Sequence, residues 1–155
     1  MKKQDPAKEY AKYEKAAAKI RGENEKLLAQ FEDWLGTSGL SLKVVQGHRS
    51  NIDFYVNEYL LYEDAVPAAK GITEVGMYLG YWFIKKAMWA SAASIRGNAA
   101  SLKKFYTFMQ EQGHVSQTEL QDLKETLKEN LPDYLATVER YDDESITDMR
   151  EVWGL

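Results

Sequence analysis

Residues 94–113, SIRGNAASLKKFYTFMQEQG, are the stretch that best indicates the fold. Its apolar residues recur at three- and four-residue steps, which places them on one face of an α-helix. They are Ile95, Ala99, Leu102, Phe105, Tyr106 and Met109. Ser94 is a residue type favoured at helix N-caps, and Gly113 is typical of the position just past a helix end. We therefore predict an amphipathic helix that begins at Ser94 and ends near Gln112.

The same helical spacing extends along the 155 residues, whereas strand-like alternation is nearly absent. We predict an all-α fold of about six helices in a single domain, 1–155. The expected helices span residues 6–35, 41–62, 73–89 and 94–112, followed by a fifth from Ser116 and a sixth from near Pro132. The long first helix could divide at Gly22, and residues 1–30 could project from the body. Residues 31–113 would form the core and 114–155 acidic C-terminal helices.

The third predicted helix is apolar nearly all round, so we expect it at the centre of the bundle. Gly76 and Gly80 lie four residues apart on it, where another helix can approach closely. In a membrane this spacing would indicate a dimer face, but in this chain we expect a packing groove. The last turn ends in Val152, Trp153 and Leu155, which we expect to dock on the body of the protein.

The composition excludes several classes of site. The chain has no cysteine, which rules out disulfides, thiol nucleophiles and cysteine-based zinc sites. Its two histidines, His48 and His114, are 66 positions apart, so a histidine metal cluster is not expected. The acidic run Asp142–Glu144 lacks the spacing of a calcium loop and is interpreted as a solvated turn. No apolar run reaches the ~20 residues that span a bilayer.

We expect a cytoplasmic protein, because the N-terminus MKKQDPAKEY has no apolar signal segment. The chain also lacks phosphate-loop, dinucleotide-binding, hydrolase-elbow and zinc-protease motifs. No nucleophile or acid–base constellation is evident. We therefore expect no catalytic residues, no metal and no cofactor, and we interpret the protein as a non-enzyme.

Two segments resemble the core-binding domain of phage integrases and other tyrosine recombinases. Residues 40–60, LSLKVVQGHRSNIDFYVNEYL, have a GLS-type cap and then a branched residue, a histidine and an aromatic at the steps of that family. Residues 94–113 resemble its later helix, which is basic, rich in small residues, and ends in an aromatic pair and a glycine. The resemblance covers residues 31–113, about half of the chain.

The resemblance implies an all-helical, SAM-like domain that clamps one face of duplex DNA. In that family a separate C-terminal domain cleaves DNA with a tyrosine nucleophile assisted by arginines and histidines. About 40 residues follow Gly113 here, and they hold two arginines and one histidine, without a cluster around Tyr134 or Tyr141. The resemblance therefore implies DNA binding without strand cleavage.

Charge is distributed unevenly along a chain whose net charge is −4. Residues 75–110 contain five cations and no acid, whereas residues 111–155 carry 4 basic and 12 acidic side chains. The five cations are the leading DNA-binding candidates: Lys85, Lys86, Arg96, Lys103 and Lys104. Three of them are predicted on the outward face of the fourth helix, among the small residues Gly97, Ala100 and Ser101. Small residues let a backbone approach phosphate while long cations reach around it. The alternative interpretation is an ordinary solvated helix face.

The second helix supplies a weaker candidate surface. Its predicted polar face contains Lys43, Gln46 and Ser50, with Gly47 and Asn51. Glutamine can read adenine edges and serine can contact phosphate, although this face too could be a plain exposed one. His48 and Arg49 fall near the apolar stripe, and we interpret His48 as a histidine at the edge of the core.

The sequence thus predicts a non-catalytic, DNA-binding module with duplex DNA as partner. The alternative is a helical protein-interaction scaffold, with a protein partner or a homo-oligomer. The acidic C-terminal third and the apolar last turn favour that alternative. The sequence also leaves open a degenerate integrase domain.

Overall fold

In the computed structural model, which describes residues 5–154, every regular element is helical and no strand occurs within that range. This confirms the predicted all-α class. The helices are α1 (Pro6–Thr37), α2 (Leu42–Asp53), α3 (Val75–Met77), α4 (Phe83–Lys86), α5 (Ala92–Glu111), α6 (Gln117–Asp142) and α7 (Met149–Val152). A π-helix, Phe54–Tyr59, extends α2, another, Tyr78–Trp82, joins α3 to α4, and a 3-10 helix covers Lys70–Thr73.

The contacts divide the chain into two compact units, Met1–Gly71 (unit 1) and Ile72–Leu155 (unit 2). Counting residues 42–59 and 75–86 as one helix each and leaving the 3-10 helix aside, the described residues contain six helices, which is the predicted number. The predicted fifth and sixth helices, however, are the single helix α6, and the sixth helix is α7. The boundary between the units falls within the 31–113 segment expected to be the core.

Unit 1 pairs α1 with α2. Asp5 accepts a hydrogen bond from the backbone of Ala7, with Pro6 at the first helical position, so α1 begins where the sequence predicts. The helix is continuous through Gly22. It is exposed as far as Lys12 and packs from Tyr13 onward. Its buried stripe consists of Ala17, Ile20, Asn24, Leu28, Phe31 and Leu35.

A buried asparagine fastens α1 to the π-helical end of α2. Asn24 is 1% exposed, and its amide donates to the Val56 carbonyl (3.2 Å) and to Asn57 Oδ1 (2.8 Å). Leu60 N–H bonds the Tyr55 carbonyl five residues back, which is the π-helical pattern. The amide of Asn24 therefore satisfies carbonyl oxygens in a part of α2 whose backbone pairing departs from the α-helical one.

Unit 2 is built on the packing of α5 against α6, with residues 75–86 on α6 as well. The inward face of α5 is aromatic: Phe105, Tyr106 and Phe108 are each at most 1% exposed. The last turn also packs on this unit, as expected. Val152 is buried, and the Trp153 ring lies 4.7 Å from that of Tyr81 and 5.9 Å from that of Tyr141.

The predicted starts of two helices are wrong. The N-cap of α5 is Ser91, three residues before Ser94; each serine side chain bonds the backbone N–H of the other, at 3.1 and 2.8 Å. This reciprocal capping box needs both serines, and the earlier one begins the helix. Pro132 does not start a sixth helix but lies inside α6. Leu127 and Tyr134 on either side of it are buried, and their burial outweighs the lost backbone bond of an exposed proline.

The third helix is not buried all round, which corrects the expectation that it fills the centre of the bundle. It ends at Lys86 rather than Trp89, and Met77 (57%) and Tyr81 (39%) are exposed on it. Its glycines do form a packing groove, as expected. Built on Gly80, a Cβ would lie 2.9 Å from Tyr134 Cε1, and on Gly76 it would lie 3.2 Å from Tyr134 Oη. The tyrosine of α6 thus occupies the space that side chains would take.

Gly80→Ala tests this groove. The added methyl group meets the Tyr134 ring, so we expect a loss of about 1–3 kcal/mol in the free energy of unfolding. The matched control is Gly47→Ala in α2, where a Cβ meets nothing within 4 Å. We expect that variant to gain up to about 1 kcal/mol from helix propensity. Urea denaturation measures both, and a Gly80→Ala protein as stable as the wild type would contradict the groove.

The same tyrosine makes stability depend on alkaline pH. Burial, followed by the charge of Asp133, raises the pKa of the Tyr134 phenol above its usual 10.0. The unfolded chain therefore loses this proton at lower pH than the folded one. The resulting stability is complete below pH 10 and is lost as the pH rises through the folded pKa. The difference in urea midpoint between wild type and Tyr134→Phe should shift above pH 10, and a constant difference from pH 8 to 11 would refute this.

Candidate nucleic-acid interface

Helix α5 buries one side in the core and carries its cations on the opposite, outward side. Ile95, Leu102, Phe105 and Tyr106 are completely buried. At 100° per residue, this leaves an outward stripe at three- and four-residue steps. The stripe consists of Arg96, Gly97, Ala100, Lys103, Lys104 and Thr107, all exposed or half-buried. We call it the α5 basic face. It agrees with the face predicted from the sequence except at Ser101, which is not among the outward residues: its side chain is completely buried and donates to the Gly97 carbonyl at 3.0 Å.

The cations of this face are not neutralised by ion pairs. Arg96, Lys103 and Lys104 pair with no carboxylate among residues 5–154. Ion pairs elsewhere in that range include Arg49 with Glu32 and Arg150 with Asp148. The twelve acidic residues of the last third of the chain therefore do not neutralise the α5 basic face at contact distance, and its positive potential is available to an anion.

Lys85 and Lys86 lie just before this face, at the end of α4, and both are exposed. Lys85 Nζ donates to Tyr81 Oη at 3.2 Å and lies 5.5 Å from the centre of the Tyr81 ring. Its ammonium group is thus directed back along its own helix. An anion that contacted Lys85 would compete with one weak hydrogen bond and one exposed cation–π contact.

The turn between α4 and α5 carries the most exposed apolar side chains of unit 2. Met88 is 98% exposed and Trp89 is 58% exposed. The turn is closed by Ala90 N–H bonding the Ala87 carbonyl at 3.1 Å, and Ser94 Oγ donates to the Trp89 carbonyl at 3.2 Å. We call residues 87–90 the Met88 turn.

This exposed turn was missed by the sequence reasoning, which placed Met88 and Trp89 at the end of a buried helix. The signal in the sequence is the pair Lys85–Lys86. Two adjacent lysines cannot both face a core, since a lysine is almost never fully buried unless it is paired. The helix therefore ends at these two lysines, and the apolar residues that follow them, Met88 and Trp89, belong to a surface turn.

The second predicted surface, on α2, lies in unit 1. Lys43, Gln46 and Ser50 are exposed, as predicted. The amide of Gln46, however, donates to Glu32 of α1, and Arg49 pairs with the same carboxylate. Asp53 is also exposed at the next step of this face. The α2 surface is therefore polar and carries carboxylates, whereas on the α5 stripe the exposed carboxylate is Glu111, one turn beyond Thr107 at the end of the helix.

The histidine predicted at the edge of the core and the acidic run predicted to be solvated both lie where they were expected. His48 and Arg49 are half-buried at the edge of the α2 stripe. Asp142, Asp143 and Glu144 are all exposed. The Ser145 hydroxyl, followed by its backbone N–H, donates to Asp143 and holds the pKa of that carboxyl below its usual value. Along residues 5–154, no group of three or more His, Asp or Glu side chains could hold a metal ion.

Comparison with known proteins adds no relative: no family model, curated protein or solved structure matches the chain. In the part of the chain that is described, no helix combines the length and the apolar character needed to cross a membrane. The function is therefore inferred from the geometry and charge of the α5 basic face and the α2 surface.

Proposed function

We propose that this protein is a non-catalytic DNA-binding module that contacts duplex phosphates through the α5 basic face of unit 2. The observation that carries the proposal is that Arg96, Lys103 and Lys104 share one outward face without a carboxylate partner. Such a face favours a polyanion, because each phosphate contact releases condensed counterions from DNA. Lys85 and Lys86 would extend the contact.

The dimensions of the face suit a duplex. Arg96 and Lys103 are separated by about 10 Å of helical rise, so the two side chains can reach different phosphates. Gly97 and Ala100 lie between them, so no bulky side chain keeps the α5 backbone away from a phosphate. The long side chains of Arg96 and Lys103 could then reach phosphates on both sides of α5.

The resemblance to the core-binding domain of tyrosine recombinases supports the same proposal and would make the fold SAM-like. The resemblance also makes the α2 surface of unit 1 a DNA-contacting one. Lys43 and Ser50, which contact no carboxylate among residues 5–154, fit this role. Gln46 would have to exchange Glu32 for a base edge, so we assign it a smaller part.

A protein-interaction scaffold is the second candidate. It is favoured by the outer surface of α6, where Glu119, Asp122, Glu125, Glu129 and Asp133 are all exposed. A basic protein would be the partner. The apolar last turn no longer supports this candidate, because Val152 is buried and Trp153 packs on Tyr81 and Tyr141.

The double variant Lys103→Glu/Lys104→Glu tests the proposal. We expect retention of a duplex in a gel-shift assay at ~50 mM salt to be abolished, because two phosphate contacts become repulsive. The matched control is Lys124→Glu/Lys128→Glu on α6, which changes the net charge equally at two exposed lysines. Circular dichroism should show unchanged helicity for both variants. Equal retention by both would defeat the proposal, and co-purification of a basic protein would favour the scaffold.

The salt dependence of DNA binding by the wild-type protein measures how many phosphate contacts its cations make. If all five cations of residues 85–104 contact phosphates, log K should fall against log salt with a slope of about −4 to −5. Lys103→Gln/Lys104→Gln should reduce the magnitude of the slope by about 2. Fluorescence anisotropy of a labelled duplex from about 50 to 200 mM salt measures both slopes. A slope that does not change in the variant would show that these lysines make no phosphate contact.

A further inference from the structure

We propose that the Met88 turn is an apolar wedge that enters a base step of the bound duplex and bends it. This inference rests on the proposed DNA binding and adds a mechanism to it. Proteins that bend DNA insert one apolar side chain, methionine among them, between base pairs and so unstack the step. Met88, which is 98% exposed, is the most exposed large apolar side chain among the described residues.

The turn holds Met88 in place rather than leaving it on a loose loop. Its backbone is closed by the Ala90–Ala87 hydrogen bond, and Ser94 of the α5 capping box bonds the Trp89 carbonyl. The Trp89 ring packs edge-on against buried Phe83, with 6.2 Å between ring centres. Because the backbone of the turn is held, insertion costs mainly the conformational entropy of the Met88 side chain itself, which is 98% exposed.

The charges around the turn suit the phosphates that flank a base step. Lys85 and Lys86 precede it, Arg96 follows it, and residues 75–110 contain no acid. The turn also leads into the N-terminus of the 20-residue helix α5, whose first turn has no acidic residue. The partial positive charge of that helix end adds to the three cations. The stretch of chain that carries Met88 is therefore cationic on both sides of an apolar side chain.

A lipid surface would also attract an apolar turn with cations, but the observations favour DNA. Peripheral membrane binding uses the whole apolar face of an amphipathic helix, or two lipid anchors. Here the apolar contribution is one methionine and one tryptophan that is already packed on Phe83. That area is small for a membrane and sufficient for one base step.

The test uses the full chain with a short duplex that carries fluorophores at both ends and 2-aminopurine within. Wild type should shorten the end-to-end distance and raise the 2-aminopurine fluorescence, because a wedge kinks DNA by about 20–90° and unstacks a step. Met88→Ala should lose both signals while its affinity falls by about tenfold or less. Met88→Leu, which keeps an apolar wedge, should retain them. Met149→Ala, at another exposed methionine (52%), is the matched control and should behave as wild type.

The outcomes separate the two proposals. If wild type binds the duplex and Met88→Ala bends it equally, the wedge is refuted while DNA binding stands. If wild type binds no duplex at ~50 mM salt, the proposed function fails and the wedge fails with it. Sedimentation with anionic phosphatidylserine vesicles is the third arm. Vesicle binding that Met88→Ala abolishes, without any effect on DNA bending, would assign the turn to a lipid surface and overturn the wedge.

Discussion

Unit 2 depends on the burial of one side of α5. Phe105, Tyr106, Phe108 and Met109 fill the interface beneath it, so the rotation of this helix about its axis is fixed. A helix turned by one residue would bring Lys103 or Lys104 towards the core, where an unpaired charge costs far more than a displaced aromatic group. The cationic outward face is thus a geometric consequence of aromatic packing on the other side.

The α5 basic face and the α2 surface differ because α5 is held by apolar packing, whereas α2 is held partly by polar contacts. On α5 the neighbouring apolar residues are held by dispersion and burial, and no outward cation is needed to hold the helices together. On α2 the contact with α1 is partly polar, because Glu32 accepts a hydrogen bond from Gln46 and forms an ion pair with Arg49. Polar groups that hold helices together are not available to a ligand without a cost. This is why Gln46, although it is exposed on the predicted face, is already engaged by Glu32.

The helical class and the outward position of Arg96 and Lys103 could be predicted because both follow from the spacing of apolar residues. Features that depend on tertiary contacts could not. Pro132 reads as a helix start until the buried stripe through Leu127 and Tyr134 is known. Ser91 and Ser94 are equally good caps until the backbone selects the reciprocal pair. Met88 is different: periodicity alone places it in the core, but the adjacent Lys85 and Lys86 are a sequence signal that α4 ends at Lys86.

The π-helical segment Tyr78–Trp82 has a consequence for how this chain tolerates length changes. One residue added to or removed from a helix rotates everything after it by about 100°. In a π-turn that excess is already present and is accommodated by Gly80 against the Tyr134 ring. A natural one-residue deletion here would restore regular α-helical pairing and leave Lys85 and Lys86 pointing in nearly the same direction. A deletion in a regular α-helical part of the chain would instead rotate the residues after it by about 100°. The π-turn is therefore a point at which this helix can lose one residue without turning its cationic end.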